Sequence, residues 1–140
     1  MKLLDSDILT LAFHGKPNVA ERVAAARDAG ELLLPATVRL EALRGRIEAV
    51  LKVGSGADAL RMQENLAATE RYSGTFGVVP FDSAASEHFN VLIRAKSLRS
   101  MGRADLQIAC IALAHDATLV TRNTKDFAGV PGLKLENWAD

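Results

Sequence analysis

The chain has 140 residues, 49% hydrophobic and 24% charged, and its 17 Lys and Arg residues balance 17 Asp and Glu residues. This composition predicts a single globular domain over residues 1–140 and argues against a disordered or fibrous chain. A net charge of zero gives no general attraction to a polyanion, so a nucleic-acid function must rest on a local site. One cysteine, Cys110, excludes an internal disulfide and a cysteine metal cluster. Asp5 and Asp7 interrupt the first apolar run, so we expect no secretory signal or membrane span and a cytoplasmic protein.

Five short apolar stretches predict the buried strands of a sheet. They are rich in Leu and Val and are bounded by turn residues, as in parallel sheets covered on both faces. The stretches are "KLL" (2–4), "LLLP" (32–35), "FGVVPF" (76–81), "ATLVT" (117–121) and "LKLEN" (133–137).

Helical patterns run between these stretches. In "NVAERVAAARDAG", Asn18 is the predicted N-cap, Glu21 follows three residues later, and Gly30 ends the helix. Asp82 is the predicted cap of the helix over 83–100. Further helices are expected over 37–51, over 59–72 after a flexible "GSGAD" link, and over 104–116. The alternation predicts an α/β fold with about five mostly parallel strands, flanked by helices and carrying a helical arm in the first half.

Four acidic residues follow strands or begin helices at one predicted edge of this sheet. Ligands of such sheets bind beyond the carboxyl ends of the strands, where Asp5, Glu41, Asp105 and Asp126 are expected to meet. Clustered carboxylates repel one another unless protons or a cation neutralise them. The three histidines are scattered, so the available ligands are hard oxygens, which suit Mg²⁺ or Mn²⁺.

The segments "LLDSDIL", "ATVRLEALRG" and "GRADLQIACIALAHDATLVTRNTKDFAGVPGLKLENW" together resemble the PIN-domain ribonucleases, most closely the VapC toxins of toxin–antitoxin pairs. The resemblance covers nearly the whole chain and implies a PIN-like fold. It also implies a Mg²⁺- or Mn²⁺-dependent endoribonuclease, whose catalytic and metal-binding residues match Asp5, Glu41, Asp105 and Asp126. By the same match, Thr121 helps to hold the site. The implied partners are RNA, a small antitoxin protein that places its C-terminal segment in the acidic groove, and a second copy of the chain.

Several residues have a supporting or an undecided role. Ser6 fits the family pattern and Asn123 is expected to support Thr121. Asp7 departs from the pattern because an Asn or Ser is usual there; a helix N-cap is the favoured interpretation, and a place in the metal shell is the other. The basic residues near the acids are Arg44, Arg46, Arg99, Arg103, Arg122 and Lys125. Of these, Arg103 and Arg122 are the preferred RNA-binding candidates because they flank Asp105 and Thr121.

Other functions stay open on the sequence alone. The Asp5-x-Asp7 pair also resembles the nucleophile and acid of aspartate-nucleophile phosphatases, although Leu9 stands where that family has Thr or Val. A phosphoacceptor receiver domain, with Asp82 as the acceptor, leaves Glu41 and Asp105 without a purpose. A PIN-like module that binds a partner protein with little catalysis is the remaining alternative.

Overall fold

Five parallel strands form one sheet in the computed structural model, which describes all residues from Met1 to Asp140. The strand order is β3-β2-β1-β4-β5, and every neighbouring pair is parallel. The strands are β1 (Lys2–Leu4), β2 (Leu32–Pro35), β3 (Val78–Val79), β4 (Thr118–Val120) and β5 (Lys134–Glu136). The predicted α/β class is therefore confirmed, and the sheet is parallel throughout.

Seven helices and one 3-10 turn connect the strands and cover the sheet. They are α1 (Ser6–Phe13), α2 (Val19–Asp28), α3 (Ala36–Val50), α4 (Gly56–Ser73), α5 (Ser83–Leu92), the 3-10 turn (Lys96–Leu98), α6 (Arg103–Ala114) and α7 (Thr124–Phe127). Helices α3 and α4 pack against each other as the helical arm expected in the first half, and α5 packs against α6. No helix is both long enough and apolar enough to cross a membrane.

Local geometry differs from the sequence predictions at four places. Strand β3 keeps only two residues of the predicted 76–81, since Pro80 directly after it has no N–H for the ladder. Asn18 takes the N-cap position of α2 with φ 69°, a left-handed conformation that asparagine tolerates, but its side chain makes no capping hydrogen bond. The "GSGAD" link is shorter than expected, because the Ser55 hydroxyl accepts a hydrogen bond from the Asp58 N–H and caps α4 at Gly56. Helix α5 ends at Leu92, although Asp82 caps it as predicted.

The centre of the sheet is the most deeply buried part of the chain. Leu3 and Leu4 of β1 and Leu119 and Val120 of β4 have no exposed surface, and α6 contributes six buried residues to the same core. The chain passes from β1 outward to β2 and β3, and then returns to β4 on the other side of β1. Such a reversal leaves a crevice beyond the carboxyl ends of the two central strands.

Candidate active site

Asp5 lies at the carboxyl end of β1 and connects the sheet with the first helix. Its backbone N–H donates to the Val120 carbonyl at 2.9 Å, which extends the ladder between β1 and β4, and its carbonyl accepts from the Leu9 N–H at 3.0 Å as α1 begins. Its carboxylate caps α1 by accepting from the Ser6 N–H at 2.8 Å. The main chain of Asp5 is thus fixed by both the sheet and the helix, its carboxylate is held by one backbone N–H, and only 4% of the residue is exposed.

Thr121 holds the other oxygen of Asp5. Its hydroxyl donates to Asp5 Oδ2 at 2.7 Å and accepts from the Asn123 N–H at 3.1 Å, and the residue has no exposed surface. The hydroxyl thus joins the end of β4 to the end of β1. Asn123 stands at the N-cap position of α7 without a side-chain capping bond, so it contacts Thr121 through its backbone N–H.

Burial raises the pKa of Asp5 from 3.8 to about 6. The Thr121 and Ser6 hydrogen bonds act against this increase, while the charges of Asp7 and Asp105 add to it. Removing a carboxylate from water disfavours its charged form, and nearby carboxylates disfavour it further. A buried acid with a raised pKa in a crevice is a typical feature of functional sites.

Asp7 is not the N-cap of α1, which corrects the interpretation favoured from the sequence. Asp5 takes the cap, because the helix begins two residues earlier than expected, at Ser6 instead of Ile8. Asp7 lies in the first turn, where its carboxylate accepts from the Ile8 N–H at 2.7 Å and from the Arg122 N–H at 3.0 Å. It therefore connects α1 to the loop after β4, beside the Asp5 carboxyl.

Glu41 lies on α3, near the carboxyl end of β2. Its Oε1 atom is buried and accepts no hydrogen bond. Burial is the main cause that raises the pKa of Glu41, and the Asp105 charge adds to it, while Arg44 and the Ser6 hydroxyl act in the opposite direction. An unpartnered buried carboxylate oxygen is costly, which makes it a strong candidate for binding a cation or a proton.

Asp105 and Asp126 form the other side of the crevice. Asp105 is half-buried in the first turn of α6, as predicted, and its pKa is raised by burial and by the charges of Asp126 and Asp7. Asp126 is exposed on the four-residue helix α7, where its backbone N–H donates to the Asn123 carbonyl at 3.1 Å. Both residues line an open cavity of about 420 Å³ together with Lys125 and the loop before α6.

The donor chemistry of this crevice fits a hard divalent cation. Asp5, Glu41, Asp105 and Asp126 offer only carboxylate oxygens, and the free Oε1 of Glu41 is an unused acceptor. No three His, Cys, Asp or Glu side chains lie close enough together to form a complete metal-binding group. The carboxylates therefore influence one another electrostatically without forming a closed set of ligands.

One contact between α3 and α6, which the sequence did not predict, positions two of these acids. The Thr37 hydroxyl, nearly buried on α3, donates to Gln107 Oε1 on α6 at 3.1 Å. Thr37 lies one turn before Glu41, and Gln107 follows Asp105 by two residues, so the bond joins the helices that carry the two acids. The two residues are 70 positions apart, so no local pattern in the sequence signals this contact.

The RNA-binding candidates of the sequence analysis both lie at the rim. Arg103 is the exposed first residue of α6, and the guanidinium of Arg122 lies 3.8 Å from Asp140 Oδ1. Ser6 lines the groove that contains Glu41.

Residues 2–133 match the PIN domain family. The chain belongs to the PIN domain family. The match covers both central strands and every acid described above, so the resemblance to this family is confirmed. The matched residues include the crevice at the carboxyl ends of β1 and β4.

Two relatives and two solved structures that resemble this PIN domain carry VapC or VapBC names, and three of these four matches cover nearly the whole chain. It is 28% identical to the tRNA(fMet)-specific endonuclease VapC of Shigella flexneri, over 98% of this chain and 97% of that protein. It is 32% identical to ribonuclease VapC2 of Rickettsia felis, over 56% of this chain and 60% of that protein. The structure of VapBC2 from Rickettsia felis bound to a DNA fragment from its promoter superposes with a TM-score of 0.79, at 23% identity over 98% of both chains. The structure of DNA-bound VapBC from Salmonella typhimurium superposes with a TM-score of 0.78, at 25% identity over 98% of this chain and 97% of that chain.

Proposed function

We propose that this PIN domain is an endoribonuclease that needs Mg²⁺ or Mn²⁺ and acts as the toxin of a toxin–antitoxin pair. The observation that carries the proposal is the Asp5 carboxyl, which is buried between the ends of β1 and β4 and has its pKa raised to about 6 beside other acids. Relatives that carry the names VapC endonuclease and ribonuclease support the reaction class.

The four acids have distinct parts in the proposed reaction. A bound divalent cation supplies Lewis-acid polarisation of the phosphodiester and makes a coordinated water more acidic. Asp5 and Glu41, the more buried of the four acids, would hold the cation from the inner side, since water competes least for their oxygens. Asp105 and Asp126 would hold it from the open side. Thr121 keeps Asp5 in the orientation that the site needs.

The proposed function is tested by comparing the protein with Asp105→Asn on RNA. Purified protein is expected to cleave RNA with Mg²⁺ or Mn²⁺, to lose this activity with a chelator, and to be inactive as Asp105→Asn with an unchanged fold. Sequencing of RNA 5′ ends from cells that briefly express either protein at equal abundance identifies the substrate. Identical maps of 5′ ends would contradict the nuclease.

Divalent-cation binding has a second measurement that does not use RNA. A ligand that binds only the folded protein raises its stability, so Mg²⁺ or Mn²⁺ is expected to raise the melting temperature of the protein and not that of Asp5→Asn. No change with either cation would favour the alternative of a protein-binding module with little catalysis.

The proposed antitoxin is supported by solved VapBC complexes with the same fold. We propose that the protein acts in the cytoplasm. Its expression is expected to stop the growth of the host cells, whereas expression of Asp105→Asn is not. Co-expression of the cognate antitoxin is expected to restore growth. A toxic effect that Asp105→Asn retains would contradict RNA cleavage as its cause.

The proposed homodimer rests on an exposed apolar stripe of α3. Leu40 and Ile47 are 60% and 46% exposed on this helix, and Val78 of the edge strand lies beside them. Arg39 and Glu48 flank the stripe with opposite charges, so two copies related by a two-fold axis can pair them. Ile47→Glu is expected to convert a dimer into a monomer in analytical ultracentrifugation. The matched control is Val91→Glu, which changes an equally apolar, 71% exposed residue on α5, outside the stripe.

A further inference from the structure

A polar groove contains Glu41 and is separate from the cavity that Asp105 and Asp126 line. It is about 500 Å³ in volume and lies between α1 and α3. Its lining residues are Ser6, Thr10, Glu41, Ala42, Gly45 and Arg46. The small residues leave room for a chain to approach, because a Cβ at Gly45 would meet no atom within 4 Å. Arg46 is the single cation among these residues.

Arg46 differs from the other arginines in its surroundings. It is half-buried, yet no carboxylate lies within 4.0 Å of its guanidinium. Arg44, two residues earlier, is exposed and pairs with Glu48 at 2.9 Å, and the half-buried Arg27 pairs with Asp28 at 3.1 Å. A partly desolvated charge without a counter-charge is unfavourable in the free protein, and an anionic ligand would relieve it.

The guanidinium of Arg46 is fixed at one end and free at the other. Its Nε donates to the Thr69 hydroxyl of α4 at 3.2 Å, and its Cζ lies 6.0 Å from the centre of the Phe13 ring. The two terminal nitrogens make no hydrogen bond within the protein. An arginine held in this way presents a preorganised pair of donors, which matches the two oxygens of a phosphate.

We propose that Arg46 binds a phosphate of the RNA strand beside the one that is cleaved. This inference rests on the proposed function and extends it to a substrate-binding residue. The acids of the crevice repel a polyanion, and the net charge of zero gives no general attraction, so a strand that enters the crevice needs a local cation. Along the groove from Glu41, Arg46 is that cation, and the Ser6 and Thr10 hydroxyls line the path between them.

The experiment measures the binding of a labelled single-stranded RNA to protein that carries Asp105→Asn, so that the RNA is not cut. Arg46→Gln in this background is expected to weaken binding at least about tenfold, the smallest effect expected for the loss of a charge-assisted hydrogen bond. The slope of log K against log salt is expected to fall by about 0.7 between roughly 0.05 and 0.2 M salt, the value for one phosphate contact on a single strand.

Three variants separate this role from a structural one. Thr69→Val removes the hydrogen bond to Arg46 and keeps the charge, so it is expected to leave the salt slope unchanged. Arg46→Lys keeps the charge without the paired donors, so it is expected to keep the slope and lose part of the affinity. Arg61→Gln removes a cation from the exposed face of α4, where it pairs with Asp58, and is expected to change neither quantity.

The outcomes distinguish this inference from the proposed function. If the unmodified protein cleaves RNA but Arg46→Gln binds RNA with the parent's affinity and slope, Arg46 does not bind RNA and this inference is wrong while the proposed function stands. If the unmodified protein neither cleaves nor binds RNA, the proposed function fails and this inference fails with it. Should Arg46→Gln not fold, an unchanged affinity for Arg46→Lys would overturn the paired phosphate contact.

Discussion

Asp5 and Asp126 both belong to the acidic crevice but are held in very different ways. Asp5 is 4% exposed, follows a central strand, and has both carboxylate oxygens hydrogen-bonded. Asp126 is exposed on a four-residue helix, and no side-chain contact holds its carboxylate. The inner side of the site is thus part of the hydrophobic core, whereas the outer side is part of the surface.

This difference indicates that the inner side of the site provides a fixed carboxylate and the outer side an adjustable one. A carboxylate fixed by the sheet keeps its position whether or not a ligand is present, at the cost of repulsion and desolvation. A carboxylate on a short surface helix costs little in the folded state and can adjust when substrate arrives. Substitutions on the inner side should therefore change both stability and activity, and substitutions on the outer side should change activity alone.

The largest effect is expected for Asp5→Asn. Loss of this charge should reduce RNA cleavage by at least about 10²-fold, the range observed when a group that stabilises a transition state is removed. The same variant is expected to be more stable than the parent at pH 7 without divalent cations. The folded-state pKa of about 6 lies above the ordinary 3.8, so ionisation of Asp5 costs the folded protein about 3 kcal/mol.

The pH dependence of that difference tests its origin. Because the pKa of Asp5 is raised in the folded state, protonated Asp5 contributes its full stabilisation of the folded protein below about pH 4. This contribution is lost as pH rises through about 6. Urea denaturation should therefore show the two proteins close in stability near pH 4 and Asp5→Asn ahead by up to about 3 kcal/mol at pH 7. A constant difference across this range would exclude ionisation of Asp5 as the cause.

Thr121→Val is expected to have the next largest effect, with the opposite sign for stability. The substitution removes the donor to Asp5 Oδ2 and the acceptor of the Asn123 N–H at a fully buried position. Unpaired buried groups of this kind cost about 1–3 kcal/mol of unfolding free energy. Activity should fall about 10–100-fold, as for other residues that orient a metal ligand. Thr121→Ser retains the hydroxyl and is the matched control in both denaturation and cleavage assays.

The sequence predicted the fold well because its signals are local. Short Leu- and Val-rich runs with turn residues at their ends marked all five strands, and capping residues such as Asp82 marked helix starts. Strand β3 was predicted too long, since Phe76 is buried by packing in the core and not by sheet pairing. Hydrophobicity alone does not separate these two forms of burial.

The candidate site was predicted only in part, because the signals in the sequence are local. The positions of Asp5 and Glu41 at the carboxyl edge of the sheet could be inferred from the order of elements, and the family resemblance strengthened the interpretation of Glu41. The roles of Asp7 and Arg46 could not, because they depend on contacts to residues far along the chain. Asp7 accepts from the Arg122 N–H, and Arg46 binds Thr69 on the neighbouring helix. Periodicity and capping rules describe only neighbours in sequence.

Asp126→Asn tests the outer side of the site. Because the residue is exposed, unfolding free energy should change by less than about 0.5 kcal/mol. Cleavage should still fall about tenfold, since the residue is proposed to complete the ligand set. Glu87→Gln, at an exposed acid on α5, is the control for loss of one surface charge and should leave activity unchanged. A stability loss in Asp126→Asn comparable to that of Thr121→Val would remove the distinction between inner and outer sides.

The smallest effect is expected for Asp7→Asn, which lies where the two sides meet. The single amide oxygen of Asn can still accept from the Arg122 N–H, so the connection between α1 and the loop after β4 should remain, while the second bond, from the Ile8 N–H, is lost. One negative charge beside Asp5 and Asp105 is lost, which should lower the pKa of Asp5 and move its pH-dependent loss of stability to lower pH. Activity should stay within about threefold of the parent, because a single charge of this kind contributes about 0.2–1 kcal/mol.

Asp7→Ala removes the acceptor as well as the charge, so a larger loss of activity in Asp7→Ala than in Asp7→Asn would show that the hydrogen bond to the loop matters more than the charge. Equal losses in the two variants would assign the effect of Asp7 to its charge alone.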